Sequence, residues 1–173
     1  MESAEKISFS ERFNIRLIIF LLAILAPVGW IVYTYVDAVV SGGIHDRGSY
    51  IEADLKAMSL FPFDQTNGTI NDVPRQWREL DGKRVQVVGE MYLRNSAGDE
   101  VRNFELVYSI AKCCFQGSPQ IQHFVQARGA NGPLPYYSGL VRCTGTLHVK
   151  VKNSEHGVTQ VYAMDIDQLE PVR

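Results

Sequence analysis

The residues best suited to chemistry are the adjacent Cys113 and Cys114, which are followed by His123 and later by Cys143. Thiolate sulfur and imidazole nitrogen are the ligands that zinc and copper prefer in proteins. If the fold brings these four residues together, they predict a zinc or copper site or a thiol-redox site. Their types alone do not decide between the two.

Strand periodicity decides whether these side chains meet. Successive side chains of a strand point to opposite faces, and a predicted strand over 121–128 puts His123 on the apolar face. A second predicted strand, over 141–151, puts Cys143 on its apolar face as well. Both residues are therefore expected to point into one core. Cys113 and Cys114 precede a turn signal that favours folding back toward it, but adjacent strand residues reach one metal only where the backbone is irregular.

The alternatives for these residues stay open at this level. A structural disulfide between Cys143 and Cys113 or Cys114 requires Cα atoms within about 7 Å of each other. The chain has no Cys-x-x-Cys pair and no His-x-x-x-His spacing of the kind that typifies zinc sites. An inert core thiol at Cys143 and a hydrogen-bonded core histidine at His123 are the structural alternatives to a ligand role.

Alternating strands dominate the second half of the chain. From Arg84 to Arg94, apolar and polar residues alternate, and Val88 is the exception. Gly89 and Gly145 fall in mid-strand, where small barrels bend. The fold class predicted from these patterns is mainly β, a small five-stranded OB-like β-barrel, with a β-sandwich as the alternative. The five predicted strands lie at 84–94, 103–110, 121–128, 141–151 and 159–166.

Other polar residues give weaker signals. Asp165 and Asp167 lie on one polar face at the end of the fifth predicted strand, and His148 lies on the polar face of the fourth with Lys150. A solvated strand surface explains both groups. The sequence shows no nucleophile elbow and no phosphate-binding Gly-rich loop, so no complete catalytic set is visible.

The N-terminal region predicts a membrane anchor. The stretch from Leu17 to Val36 has 20 residues without a charge, which is enough helix to cross a bilayer. The preceding basic residues predict a single-pass protein with a cytoplasmic N-terminus and an extracytoplasmic C-terminal domain. A cleaved signal peptide and a buried soluble helix are the alternatives. The expected anchor residues are Leu17, Pro27, Trp30, Tyr33 and Tyr35.

Four segments follow from these patterns. They are a cytoplasmic N-terminus at 1–16, a transmembrane helix at 17–40, a linker at 41–76 and the OB-like barrel domain at 77–173. Ser49 and Glu52 have capping-box spacing, so the linker is expected to hold a short amphipathic helix from Tyr50 to Leu60. Trp77 is expected to fill the core.

Charge limits the class of partner. The net charge is −2 over 173 residues, whereas nucleic-acid binders normally carry a basic stripe. We therefore expect no nucleic-acid partner. The expected partners are the lipid bilayer, through the N-terminal helix, and another membrane or envelope protein.

One run of residues resembles a known group. Cys113-Cys114-Phe115, with Gly117 two positions further on, is similar to the motif of uncharacterised bacterial membrane-anchored envelope proteins. Those proteins carry a Cys-Cys-Phe-Gly-type motif inside an OB-like barrel. Here Gln116 interrupts that order. The resemblance covers roughly 77–171 and implies the fold and the cell-envelope location, but no activity.

The sequence therefore predicts a membrane-anchored extracytoplasmic domain that binds or scaffolds another envelope or membrane protein. The alternative function is a metal-binding or thiol-redox domain centred on the adjacent cysteines. An enzymatic role is the less favoured reading, since no catalytic residue is predicted.

Overall fold

The computed structural model describes residues 15–40, 42–93, 100–112 and 119–172, and within the first of these ranges it describes side chains at 19–32. The chain divides into two compact units, Met1–Gly42 and Gly43–Arg173. The first unit contains helix α1 (Ile15–Val40), with Pro27 inside it. The α1 side chains at 19–32 are exposed.

The predicted membrane anchor is corrected by this structure. Within the described part of the chain, no helix combines the length and the apolar content that crossing a bilayer requires. The predictions that this finding does not support are the transmembrane helix at 17–40, the single-pass localisation and the anchor roles of Leu17, Pro27, Trp30, Tyr33 and Tyr35.

The second unit is built mainly from strands. Among the described residues, the strands are connected in part by the short helices α2 (Leu55–Ser59) and α3 (Arg75–Arg78) and by the 3-10 turns Ile70–Asp72 and Ile121–His123. The strands are β1 (Ile44–Asp46), β2 (Ile51–Ala53), β3 (Arg84–Tyr92), β4 (Glu100–Val101), β5 (Asn103–Val107), β6 (Val125–Gly129), β7 (Leu134–Pro135), β8 (Leu140–Ser154) and β9 (Gly157–Pro171).

Strand pairing corrects the predicted five-stranded OB-like barrel. The described residues form a mixed seven-stranded sheet in the order β1-β2-β3-β5-β6-β9-β8, with a further pairing of β3 with β8. β2 pairs with the first half of β3, and β5 pairs with its second half. The β2–β3 and β6–β9 pairings are parallel. Local alternation identifies a strand but not its neighbours. The sequence pattern therefore did not predict that β1 and β2 join the sheet.

The alternation within the two main strands is confirmed. In β3, Val85, Val87 and Met91 are buried, whereas the polar residues between them are only partly buried. In β8, Val141 and Cys143 are buried in the same way. The inward faces of these strands therefore form the core that the sequence pattern predicted.

The predicted helix from Tyr50 to Leu60 begins later than expected. Residues Ile51–Ala53 form β2 instead, because they pair in parallel with β3. Helix α2 then begins after Asp54, whose carboxylate accepts the backbone N–H of Lys56 at 2.8 Å and that of Ala57 at 3.3 Å. Tertiary pairing thus outweighs the capping signal at Ser49, and Asp54 supplies the N-cap.

Large side chains join the helices to the sheet. Trp77 of α3 is 1% exposed, which confirms its predicted place in the core. Tyr162 of β9 is fully buried, and its hydroxyl donates to the carbonyl oxygen of Met58 in α2 at 3.2 Å. Burial raises the pKa of Tyr162, which keeps the phenol neutral and able to donate. This hydrogen bond fixes α2 against β9.

Gly145 gives a direct test of the β8–β9 packing. A Cβ at this position would lie 2.0 Å from the carbonyl oxygen of Asp165, at a register shift between the two strands. We expect Gly145→Ala to lower the free energy of unfolding by about 2–4 kcal/mol, because backbone must move to make room. Urea unfolding followed by tryptophan fluorescence measures the change. Thr146→Ala, one position along and half-buried, is the control, with an expected loss within about 1 kcal/mol. Equal urea midpoints for the two variants would contradict the close packing.

Candidate functional site

The predicted cysteine–histidine site is only partly placed by the structure. Cys113 and Cys114 lie outside the described residues. His123 does not lie in a strand, because Ile121–His123 forms a 3-10 turn and β6 begins at Val125. The period-two argument that placed His123 on the inward face therefore does not apply, and that expectation is corrected.

Gln122 is the residue of this turn that enters the core. It is 1% exposed, and its amide nitrogen donates to Phe61 O at 3.2 Å and to Gln120 Oε1 at 2.7 Å. Its amide oxygen accepts from Gln65 Nε2 at 3.0 Å. A buried amide requires such partners, and these bonds tie the turn to the 61–65 segment. Half-buried His123 lies beside this network, and partial burial lowers its pKa.

Cys143 occupies the core face of β8, as the alternation predicted. It is a free thiol with no exposed surface. Burial raises its pKa from 9.0 to about 12, because an apolar surrounding disfavours the thiolate. The thiol is therefore protonated at neutral pH. A buried, protonated thiol is typical of a small core residue and not of a nucleophile.

The zinc or copper prediction stays a prediction. No group of three or more His, Cys, Asp and Glu side chains able to hold a metal occurs in the described ranges. Two of the four predicted ligands, Cys113 and Cys114, fall outside those ranges. The predicted disulfide between Cys143 and Cys113 or Cys114 is not supported, because Cys143 is a free thiol.

A different group of residues meets on the polar face of four neighbouring strands. The register of β5, β6, β9 and β8 places Asn103 beside Arg128, Arg128 beside Asp165, and Asp165 beside Thr146. A cavity of about 750 Å³ opens on this face. We call it the Asp165 groove. Its polar lining consists of Asn103, Glu105, Gln126, Arg128, His148, Lys150, Lys152, Gln160 and Asp165.

Asp165 is the electrostatic centre of this groove. Its carboxylate accepts hydrogen bonds from both Nε and Nη2 of Arg128, the latter at 3.2 Å, and lies 3.1 Å from His148 Nε2. The Arg128 hydrogen bond, aided by His148, holds the pKa of Asp165 below its ordinary value. The same pair raises the pKa of Arg128. Three strands are thereby joined by one carboxylate.

Lys150 and Lys152 complete the charged lining. Both side chains are exposed on β8, beyond His148. Neither ammonium group forms an ion pair with another described residue. Besides the Asp165–Arg128 pair and His148, the ionisable side chains of the polar lining are these two lysines and Glu105.

The remaining lining is mixed in character. Gln126 donates its amide to the carbonyl oxygen of Thr159 at 2.9 Å, which holds it across the strands. Tyr92 and Leu93 are half-buried at the end of β3, and Phe104 and Met164 are buried beneath the groove. The groove therefore offers both charge and apolar surface to a ligand.

For three of the groove residues, Asp165, His148 and Lys150, the sequence pattern predicts a solvated strand surface. His148 and Lys150 were correctly expected on the polar side of β8, but Asp165 was paired in sequence with Asp167 rather than with Arg128. The Asp165–Arg128 contact spans 37 positions and depends on the parallel β6–β9 register. The available signal was the repeat of His148, Lys150 and Lys152 at every second position.

Known proteins resemble this chain only distantly. No family model matches the chain, and no curated protein matches it. Among solved structures it is similar to the crystal structure of a DUF3299 family protein from Pseudomonas aeruginosa PAO1. The identity is 18%, the match covers 73% of this chain and 98% of that chain, and the TM-score is 0.49. This likeness is too weak to assign a fold or a function. The resemblance to envelope proteins with a Cys-Cys-Phe motif stays a prediction.

The burial of Cys143 predicts a low thiol reactivity. In a variant with Cys113→Ser and Cys114→Ser, only Cys143 remains, and a pKa of about 12 against 9.0 implies about a thousandfold less thiolate. We expect a disulfide reagent to label it at least about a thousandfold more slowly in the native protein than in denaturant. The labelling rate is read by absorbance. A native rate within about tenfold of the denatured rate would show that the thiol is accessible.

The lowered pKa of Asp165 predicts a pH-dependent contribution to stability. The contribution is present above the ordinary aspartate pKa of 3.8 and is lost as the pH falls through the lower folded-state pKa. Asp165→Asn is expected to lower the free energy of unfolding at neutral pH by about 1 kcal/mol, and the difference from wild type should vanish in acid. Urea titrations across this range measure it. Glu155→Gln, in the exposed β8–β9 turn, should show no such pH dependence. A difference that persists in acid would mean that the ion pair is not its cause.

Proposed function

We propose that this chain is a binding module and that the Asp165 groove holds a segment of another protein. The observation that carries the proposal is the groove itself, which four paired strands form with a volume of about 750 Å³. Ligand sites typically have volumes of about 300–1,000 Å³ and combine apolar surface with a few placed polar groups. The groove has both properties.

The internal hydrogen bonds of the groove favour binding over catalysis. Asp165 orients His148, as a carboxylate does in a catalytic triad. A triad also needs a nucleophile that is hydrogen-bonded to the histidine. No hydroxyl or thiol in the described ranges makes such a bond to His148; its one hydrogen-bonded partner there is Asp165. The Asp165–His148–Arg128 group therefore serves better as a rigid wall than as a reaction centre.

The strand framework supports a preorganised site. Arg128, Asp165 and His148 each project from a different strand, and their mutual contacts fix all three side chains. A site built on paired strands loses little side-chain freedom when a ligand binds. The alternative metal or thiol-redox function receives no comparable support from Cys143, whose thiol is buried and protonated.

Site-specific photo-crosslinking tests this proposal. A benzophenone amino acid at exposed Asn103, within the groove, should give an adduct of one mass in the native host, identified by mass spectrometry. Adding Lys150→Glu and Lys152→Glu should lower the adduct yield about tenfold, because two groove cations become anions. The matched control is Lys56→Glu with Lys83→Glu, two exposed lysines outside the groove.

The control for position is the same crosslinker at Arg75, an exposed residue of α3. We expect no adduct of that mass from Arg75. An equal adduct yield from Arg75, or a yield from Asn103 that the groove substitutions leave unchanged, would contradict the proposal.

A further inference from the structure

We infer that Asn131, in the turn between β6 and β7, is a modification site at which the folded chain converts its own asparagine into aspartate and isoaspartate. Asparagine is one of the chemically labile residues of proteins. Its side chain reacts most readily when glycine follows, because glycine has no Cβ to hinder the approach of its backbone nitrogen. The sequence contains this pair twice, as Asn67-Gly68 and Asn131-Gly132, and the structure distinguishes the two.

The reaction at Asn131 requires only water. The backbone nitrogen of Gly132 loses its proton and forms a bond to the Cγ carbon of Asn131, and the side-chain nitrogen leaves as ammonia. The product is a five-membered cyclic imide, whose formation is favoured because both reacting groups belong to adjacent residues. Water then breaks one of the two bonds from the imide nitrogen to a carbonyl carbon. Aspartate results when the bond to the side-chain carbonyl breaks, and isoaspartate when the bond to the main-chain carbonyl breaks.

The Asn67–Gly68 pair is held in place by Asp64. The carboxylate of Asp64 accepts the backbone N–H of Thr66 at 2.8 Å and that of Asn67 at 3.0 Å. The N–H of Gly68, which belongs to the nitrogen that would attack, donates to the carbonyl oxygen of Asp64 at 3.0 Å. Gly68 is also buried, and a Cβ at its position would lie 2.5 Å from the ring of Phe63. The nitrogen of Gly68 therefore reaches the side chain of Asn67 only after this turn opens.

The Asn131–Gly132 pair lies in an open turn. Both residues are exposed, and Gly132 has a φ of +135° with no atom within 4 Å of the position that a Cβ would occupy. The turn is anchored before Asn131, where the N–H of Ala130 donates to the carbonyl oxygen of Ile166 at 2.8 Å. It is anchored again after the pair, where the carbonyl of Gly132 packs against Gly129. The peptide group that joins Asn131 to Gly132 forms no hydrogen bond with another described residue, so no such bond must break before the reaction.

Mass spectrometry of tryptic peptides from the full wild-type chain, incubated at mildly alkaline pH, tests the inference. In the native protein, Asn131 should convert at least about tenfold faster than Asn67. In denaturant, where the turn around Asp64 is lost, the two rates should agree within about threefold. An aspartate-specific protease separates the two products, because it does not cleave at isoaspartate.

Two variants provide the controls. Asp64→Ala removes the carboxylate that holds the Asn67 turn, so it should raise the conversion rate at Asn67 at least about threefold and leave the rate at Asn131 unchanged. Asn131→Gln should abolish the conversion at this position on the same timescale, since glutamine would have to form a six-membered ring.

The comparison of native and denatured wild-type chain decides the inference without either variant. Equal rates at Asn131 and Asn67 in the native protein would overturn it. A native rate at Asn131 more than about tenfold below its rate in denaturant would also overturn it, because the turn would then be closed. An unchanged rate at Asn67 in Asp64→Ala would overturn the protective role of the Asp64 carboxylate.

Discussion

The parallel pairing of β6 with β9 is the constraint on which the groove depends. It sets Arg128 directly beside Asp165, and the antiparallel β8–β9 pairing brings His148 to the other side of the same carboxylate. A shift of one residue in either register would turn these side chains to the opposite face of their strands. The geometry of the groove is therefore as well defined as the sheet itself.

The close contact of β8 and β9 comes from small residues and core packing rather than from charge. Gly145 allows the backbone of Asp165 to approach closely, and Met164 and Ile166 fill the space beneath. Exposed ion pairs alone contribute little to stability. The apolar core thus positions Asp165, and Asp165 in turn orders the polar groups that face solvent. The apolar face of these strands stabilises the fold, and the opposite face carries the proposed binding groove.

Much of the local structure could be predicted from the sequence because alternation is a local property. The inward faces of β3 and β8 and the core position of Cys143 follow from it. The prediction was wrong where a residue's environment depends on distant segments. Gln122 enters the core in place of His123 because Phe61 and Gln65 supply its hydrogen-bond partners. The strand-like pattern at 121–123 contained no trace of those contacts.

The candidate site likewise combines features that the sequence predicts with features that depend on the pairing of distant strands. The sequence by itself determined the β-rich fold class and the place of His148 and Lys150 on a polar face, since both follow from residue order along the chain. Only the tertiary structure decided that β1 and β2 join the sheet and that Asp165 pairs with Arg128. Pairing between strands far apart in the chain depends on register and on the approach of backbones, and neither is encoded in the periodicity of a single segment.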